Sequence, residues 1–185
     1  MGLSMEPWKV EVEALLEAED HDALIRFSQG APARTLRYLS ARLYSEDAQV
    51  KWRAVRALGA LAADPALLTN EKLAEQLRRY LWFLNDESGA VPYGVPEAIG
   101  EILARRPSLQ EAFLPLICAM IHEEDVSQTG VIERGVIWAI GRIGPDALRG
   151  GPDIPQIRNI AAAHPDRETR HVAEWTLRRV EAAGE

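Results

Sequence analysis

The 185-residue sequence holds a single cysteine, Cys118, so no disulfide can form within the chain and a thiolate-based zinc or iron–sulfur centre would lack ligands. A reducing, cytoplasmic setting is the expectation. Long apolar runs are also missing: the longest, Ala112 to Ile121, is about half of the ~20 residues that a membrane-spanning helix needs. The segment Met1-Gly2-Leu3-Ser4-Met5-Glu6 has neither the basic nor the apolar part of a signal peptide, and Glu6 stands where a myristoylation signal has Ser or Thr. No membrane association is expected. Positive charge is in the minority, 21 Lys and Arg against 28 Asp and Glu for a net charge of -7, which argues against a general nucleic-acid-binding surface. Aromatic residues are only 6% of the chain, yet its five Trp outnumber its four Tyr and its three Phe. Where those indoles sit therefore matters, because each brings a large apolar face and an N–H that needs a partner if buried.

What the sequence does have is helical periodicity throughout, with no sustained period-two alternation. Turn formers such as Gly30-Ala31-Pro32, Asp64-Pro65, Asn85 to Gly94, Gly150 to Pro155 and His164-Pro165-Asp166 divide it into about ten helices. These are expected near 7–18, 21–29, 32–44, 47–63, 70–85, 95–105, 108–123, 129–143, 153–163 and 166–182. They pair into about five hairpins of one domain over 1–185: a divergent N-terminal pair over 7–29, then repeats over 32–63, 70–105, 108–143 and 153–182.

Internal repetition supports the pairing. Ala57-Leu58-Gly59, Ala98-Ile99-Gly100 and Ala139-Ile140-Gly141 recur at 41-residue intervals, and a looser copy, Thr176-Leu177-Arg178, follows 37 residues later. A period near 40 with two helices per unit is typical of stacked helical repeats, in which each pair buries its apolar face against the next. The template Val50, Ala54, Ala57, Leu58 and Leu61 falls on one helical face, and so do its aligned copies through Val180. Those columns are the expected core. The recurring Gly59, Gly100 and Gly141 would let neighbouring repeats approach closely, offsetting the roughly 1 kcal/mol that Gly costs in a helix relative to Ala.

The stretch Asp47 to Gly59, with Trp52-Arg53-Ala54-Val55-Arg56-Ala57-Leu58-Gly59 at its centre, resembles the second helix of the HEAT-like repeat named for phycobilisome lyases. The resemblance extends from about Pro32 to Ala182. It implies an all-α fold, a right-handed α-α superhelix of the HEAT or armadillo type, whose second helices line a concave surface. A repeat of this kind specifies architecture far better than activity.

Two columns point most nearly away from the core. One holds Trp52, Tyr93, Arg134 and His171; the other holds Arg56, Glu97, Trp138 and Trp175. Aromatics, Arg and His along one strip are the composition of an interaction surface. Arg56 beside Glu97, and Glu101 beside Arg142, are the expected inter-repeat ion pairs. One repeat is irregular: Asn85-Asp86-Glu87-Ser88-Gly89 through Gly94 is too rich in turn formers for helix, and Pro96 suits the first turn of a helix that starts near Val95. Asn85, Asp86 and Glu87 join the strip as contact candidates. The segments Trp82 to Gly89 and Pro96 to Glu101 look like a stretch shared by uncharacterised bacterial HEAT-like proteins, which supplies no activity.

Enzymatic readings find little support. His122-Glu123 is the lone His-Glu dipeptide, so the di-iron centre of a HEAT-type hydroxylase has no ligand set. Walker-type, zinc-protease and nucleophile-elbow motifs are absent. HEAT-like DNA glycosylases combine aromatics, Arg and an acidic residue on a basic face, and phycobilin lyases handle a planar carboxylated ligand; both stand as the alternative. The primary expectation is a non-enzymatic scaffold or regulatory adaptor that binds a protein partner through the strip, with no cofactor and no metal.

Overall fold

The computed structural model describes residues 6–84, 93–122 and 130–182. Among the described residues there are ten α-helices and no strand: α1 (Pro7–Glu17), α2 (His21–Ser28), α3 (Pro32–Arg42), α4 (Ala48–Ala63), α5 (Asn70–Leu84), α6 (Val95–Arg105), α7 (Gln110–Ala119), α8 (Gly130–Ile143), α9 (Ile154–Ala163) and α10 (Arg167–Glu181). Short 3-10 turns over Pro107–Leu109, Met120–His122 and Gly144–Gly150 tighten three of the connections. No described helix is long and apolar enough to cross a membrane.

Local chemistry sets the helix ends. Asp20, Asp47, Asp153 and Asp166 each accept a hydrogen bond from a first-turn backbone N–H, satisfying donors that have no partner within the helix. Pro7, Pro32, Pro96 and Pro155 occupy first-turn positions, where a missing N–H costs nothing. At the end of α1, Glu19 adopts φ 53°, the left-handed region usually given to Gly. Its N–H bonds Leu16 O and that of Asp20 bonds Leu15 O, closing the turn that sends the chain into α2.

The second helices of the expected repeats pack in sequence: α4 against α6, α6 against α8, and α8 against α10. The core columns lie at these contacts. Ala54, Ala57, Leu58, Leu61, Val95, Ala98, Ile99, Ile102, Val136, Ala139, Ile140, Ala173, Thr176 and Val180 are buried, whereas Val50 and Leu177 are half-buried and Val91 lies outside the described residues. The repeated glycines sit where helices touch. A methyl on Gly100 would come within 2.6 Å of Ala139 Cα, one on Gly59 within 2.7 Å of Glu101 Oε2, and one on Gly141 would run into the Trp175 ring. Polar links then fix the stack. Thr176 donates to Ile137 O at 2.9 Å, and Arg142 grips both oxygens of buried Glu101 at 2.7 and 3.1 Å. Arg106 is buried and donates to Ala62 O, Leu68 O and Asn70 Oδ1, so one guanidinium joins the end of α4 to the start of α5.

The N-terminal pair is held by aromatics. Trp8 meets Tyr38 edge-on at 5.4 Å and carries the Arg34 guanidinium 4.2 Å above its ring, while Glu13, Tyr38 and Arg42 form one hydrogen-bonded cluster. Trp8 is thus committed to seating the first hairpin on α3.

Candidate binding groove

Three of the indoles form a row across the second helices. Trp138 of α8 stacks nearly parallel on Trp175 of α10, with ring centroids 6.0 Å apart and planes 13° apart, and Trp175 in turn covers the gap left by Gly141. On its other side Trp138 meets Trp52 of α4 edge-on at 4.9 Å. That second contact is informative because α6 packs between α4 and α8. Helix α6 begins only at Val95 and has a carboxylate, Glu97, where α8 has Trp138 and α4 has Arg56, and the Trp52 and Trp138 rings meet across it. All three indoles are half-buried.

Beside this row lies a groove of about 400 Å³ whose lining includes Lys51, Trp52, Glu97, Arg134, Trp138 and His171, with Val172 and Glu168 at its α10 side. Five of the expected strip residues, Trp52, Glu97, Arg134, Trp138 and His171, therefore converge on one concavity. Trp175 backs the wall as the stacking partner of Trp138. Arg56 lies on the opposite side of Trp52, lining a separate open depression with Glu19 and Arg53. Tyr93 is half-buried just before α6 and lines neither cavity. Asn85, Asp86 and Glu87 lie outside the described residues.

The expected ion pairs divide. Glu101 and Arg142 meet as their spacing suggested, but Arg56 pairs with Glu19 at 2.6 Å, and Glu97 takes Lys51 at 3.4 Å instead. Helix geometry explains the exchange, since Glu97 turns inward at the first turn of α6 and is 4% exposed, out of reach of a half-exposed arginine. Among the described residues its Oε2 has no hydrogen-bond partner, and it rests where a methyl on Gly135 would come within 2.8 Å. Burial pushes the Glu97 carboxyl above its ordinary pKa, against the opposing pull of Lys51, its own backbone N–H and Arg134.

Further charges lie around that buried acid. Lys51 Nζ also lies 5.3 Å from the Trp52 ring centroid, a cation–π distance. Arg134 makes ion pairs with Asp166 at 3.2 Å and Glu168 at 2.9 Å, both through Nη1. Glu168 is largely in solvent and His171 is exposed. One residue before Arg134, Glu133 is buried and lies 3.2 Å from His164 Nε2; burial raises its pKa and the imidazole opposes that rise.

Lys51, Glu168 and Val172 escaped the sequence reading, which followed only two outward columns. Lys51 belongs to the column one residue earlier, shared with Glu133 and Arg170, and a third column would have included it. Among the described residues no group of three or more His, Cys, Asp and Glu is placed to hold a metal ion. Comparison of the chain with protein-family models, with curated proteins and with solved structures finds no match.

Proposed function

We propose that this chain is a short right-handed α-α superhelix of HEAT-like hairpins that serves as a protein-binding scaffold or regulatory adaptor, with the groove between Trp52 and Trp138 on its concave side as the docking point. The convergence of Trp52, Trp138, Arg134 and His171 on one open groove carries this reading. Half-buried aromatics and Arg around a concavity are the side chains that dominate binding energy at interfaces. They lose little conformational entropy on contact, because the Trp52–Trp138–Trp175 row is already fixed by ring–ring packing. The packing order of α4, α6, α8 and α10 supports the superhelix.

Affinity purification from the native organism, with wild-type chain beside Arg134→Gln and His171→Ala, tests the proposal. Both variants should remain folded, since these side chains sit at the groove surface, and both should lose the captured protein. Capture that persists in both would remove the groove from the interaction.

A second reading rests on Glu97, an acid enclosed beside two indoles, which is the pairing used by HEAT-like DNA glycosylases. Duplex DNA binding at low salt that falls steeply as salt is added would favour it; no binding at low salt would dismiss it.

A further inference from the structure

The groove contains charges of both signs, and their accessibility differs. Its one enclosed carboxylate, Glu97, is buried and already faces Lys51. Arg134 and His171 line the same groove without facing that acid as their ion-pair partner. The second acid, Glu168, sits at the rim on an exposed side chain and reaches in to Arg134 Nη1 at 2.9 Å, where Asp166 also pairs at 3.2 Å. Glu168 thus stands in for a ligand carboxylate. It shows the distance at which one is received, and an exposed pair of this kind contributes little and is readily exchanged.

We propose that the groove receives an acidic side chain of a peptide segment, its carboxylate displacing Glu168 from Arg134 within reach of His171, and an adjoining apolar residue lying against Trp52, Trp138 and Val172. This deepens the docking reading above and depends on it. A carboxylate held by a guanidinium fork beside an indole wall is shielded from water, so its pair with Arg134 is stronger than the exposed pair that it replaces. The partner segment would be acidic and apolar in alternation, and the overall negative charge of this chain would make its association faster as salt screens the general repulsion.

The test uses the full chain and three hexapeptides, labelled with a fluorophore at the N-terminus and amidated at the C-terminus, in which leucine alternates with glutamate, glutamine or lysine, followed by fluorescence anisotropy, with a labelled thymidine oligonucleotide as a fourth probe. The glutamate peptide should bind, Arg134→Gln should weaken it about tenfold or more, and Glu168→Gln should tighten it several-fold by removing the resident competitor. The last effect is opposite in sign to any general loss of structure. Tighter binding of the lysine peptide or of the oligonucleotide, or weaker glutamate binding in Glu168→Gln, would overturn the acidic-ligand inference. If the glutamine or lysine peptide binds and loses binding in Arg134→Gln or His171→Ala, the groove reading stands without it. If no probe responds to any groove variant, both fall.

Discussion

Glu97 is the residue on which the groove turns. Its carboxyl is buried against α8, with an oxygen that has no hydrogen-bond partner among the described residues, and this burial makes the folded chain hold its proton more tightly than the unfolded chain does. A group whose folded pKa lies above its unfolded value stabilises the fold most below the unfolded value, and that contribution is lost as pH rises through the folded one. Wild-type stability should therefore decline over that window, from the ordinary carboxyl range upward, and Glu97→Gln should flatten the decline. Urea titrations of both proteins across pH 4 to 8 would show their difference growing with pH; parallel curves would mean that the carboxyl is not held as described. Arg106 makes the complementary case. Removing it strands the carbonyls of Ala62 and Leu68, both satisfied by the guanidinium, so Arg106→Ala should lower unfolding free energy by about 3 kcal/mol. A change below about 1 kcal/mol in urea would show that water replaces the arginine there.

At the scale of elements, the helix contacts depend on missing side chains. Alanine in place of Gly100 would improve helix propensity by about 1 kcal/mol, but its methyl meets Ala139 Cα of the neighbouring helix at 2.6 Å and cannot be accommodated by rotation. Gly100→Ala should therefore destabilise by about 1–3 kcal/mol in thermal or urea unfolding. Gly30→Ala, with open space around it, should be neutral or slightly stabilising, and similar losses at the two sites would discount the close-approach explanation. The cap of α4 offers a calibrating change: Asp47→Ala, losing acceptors for Gln49 N and Val50 N, should cost about 1 kcal/mol in the same titration. These features were legible from sequence because they repeat. The Gly columns recur every 41 residues, the Asp caps and first-turn prolines punctuate the helix starts, and the observed helices start and end within a few residues of expectation. The Schellman turn at Glu19 was not, since a glutamate in the left-handed region carries no compositional signal.

For the whole molecule, legibility was uneven in a different way. Columns identify which face a residue occupies, and five of the strip residues do share one groove. They do not show that two repeats touch across a third. The Trp52–Trp138 contact, the burial of Glu97 and the pairing of Arg56 with Glu19 are tertiary placements that no column encodes. Trp8 and Trp82 show the other limit: one seats the first hairpin and the other is largely exposed beside Phe83, although both are equal in composition to the indoles of the groove. Docking of a partner in the groove beside these rings can be read out by site-specific photo-crosslinking in the native organism. A benzophenone side chain at His171, on the groove, should give a discrete crosslinked protein, and the same group at exposed Leu116 of α7 should not. A crosslink from Leu116 with none from His171 would contradict it.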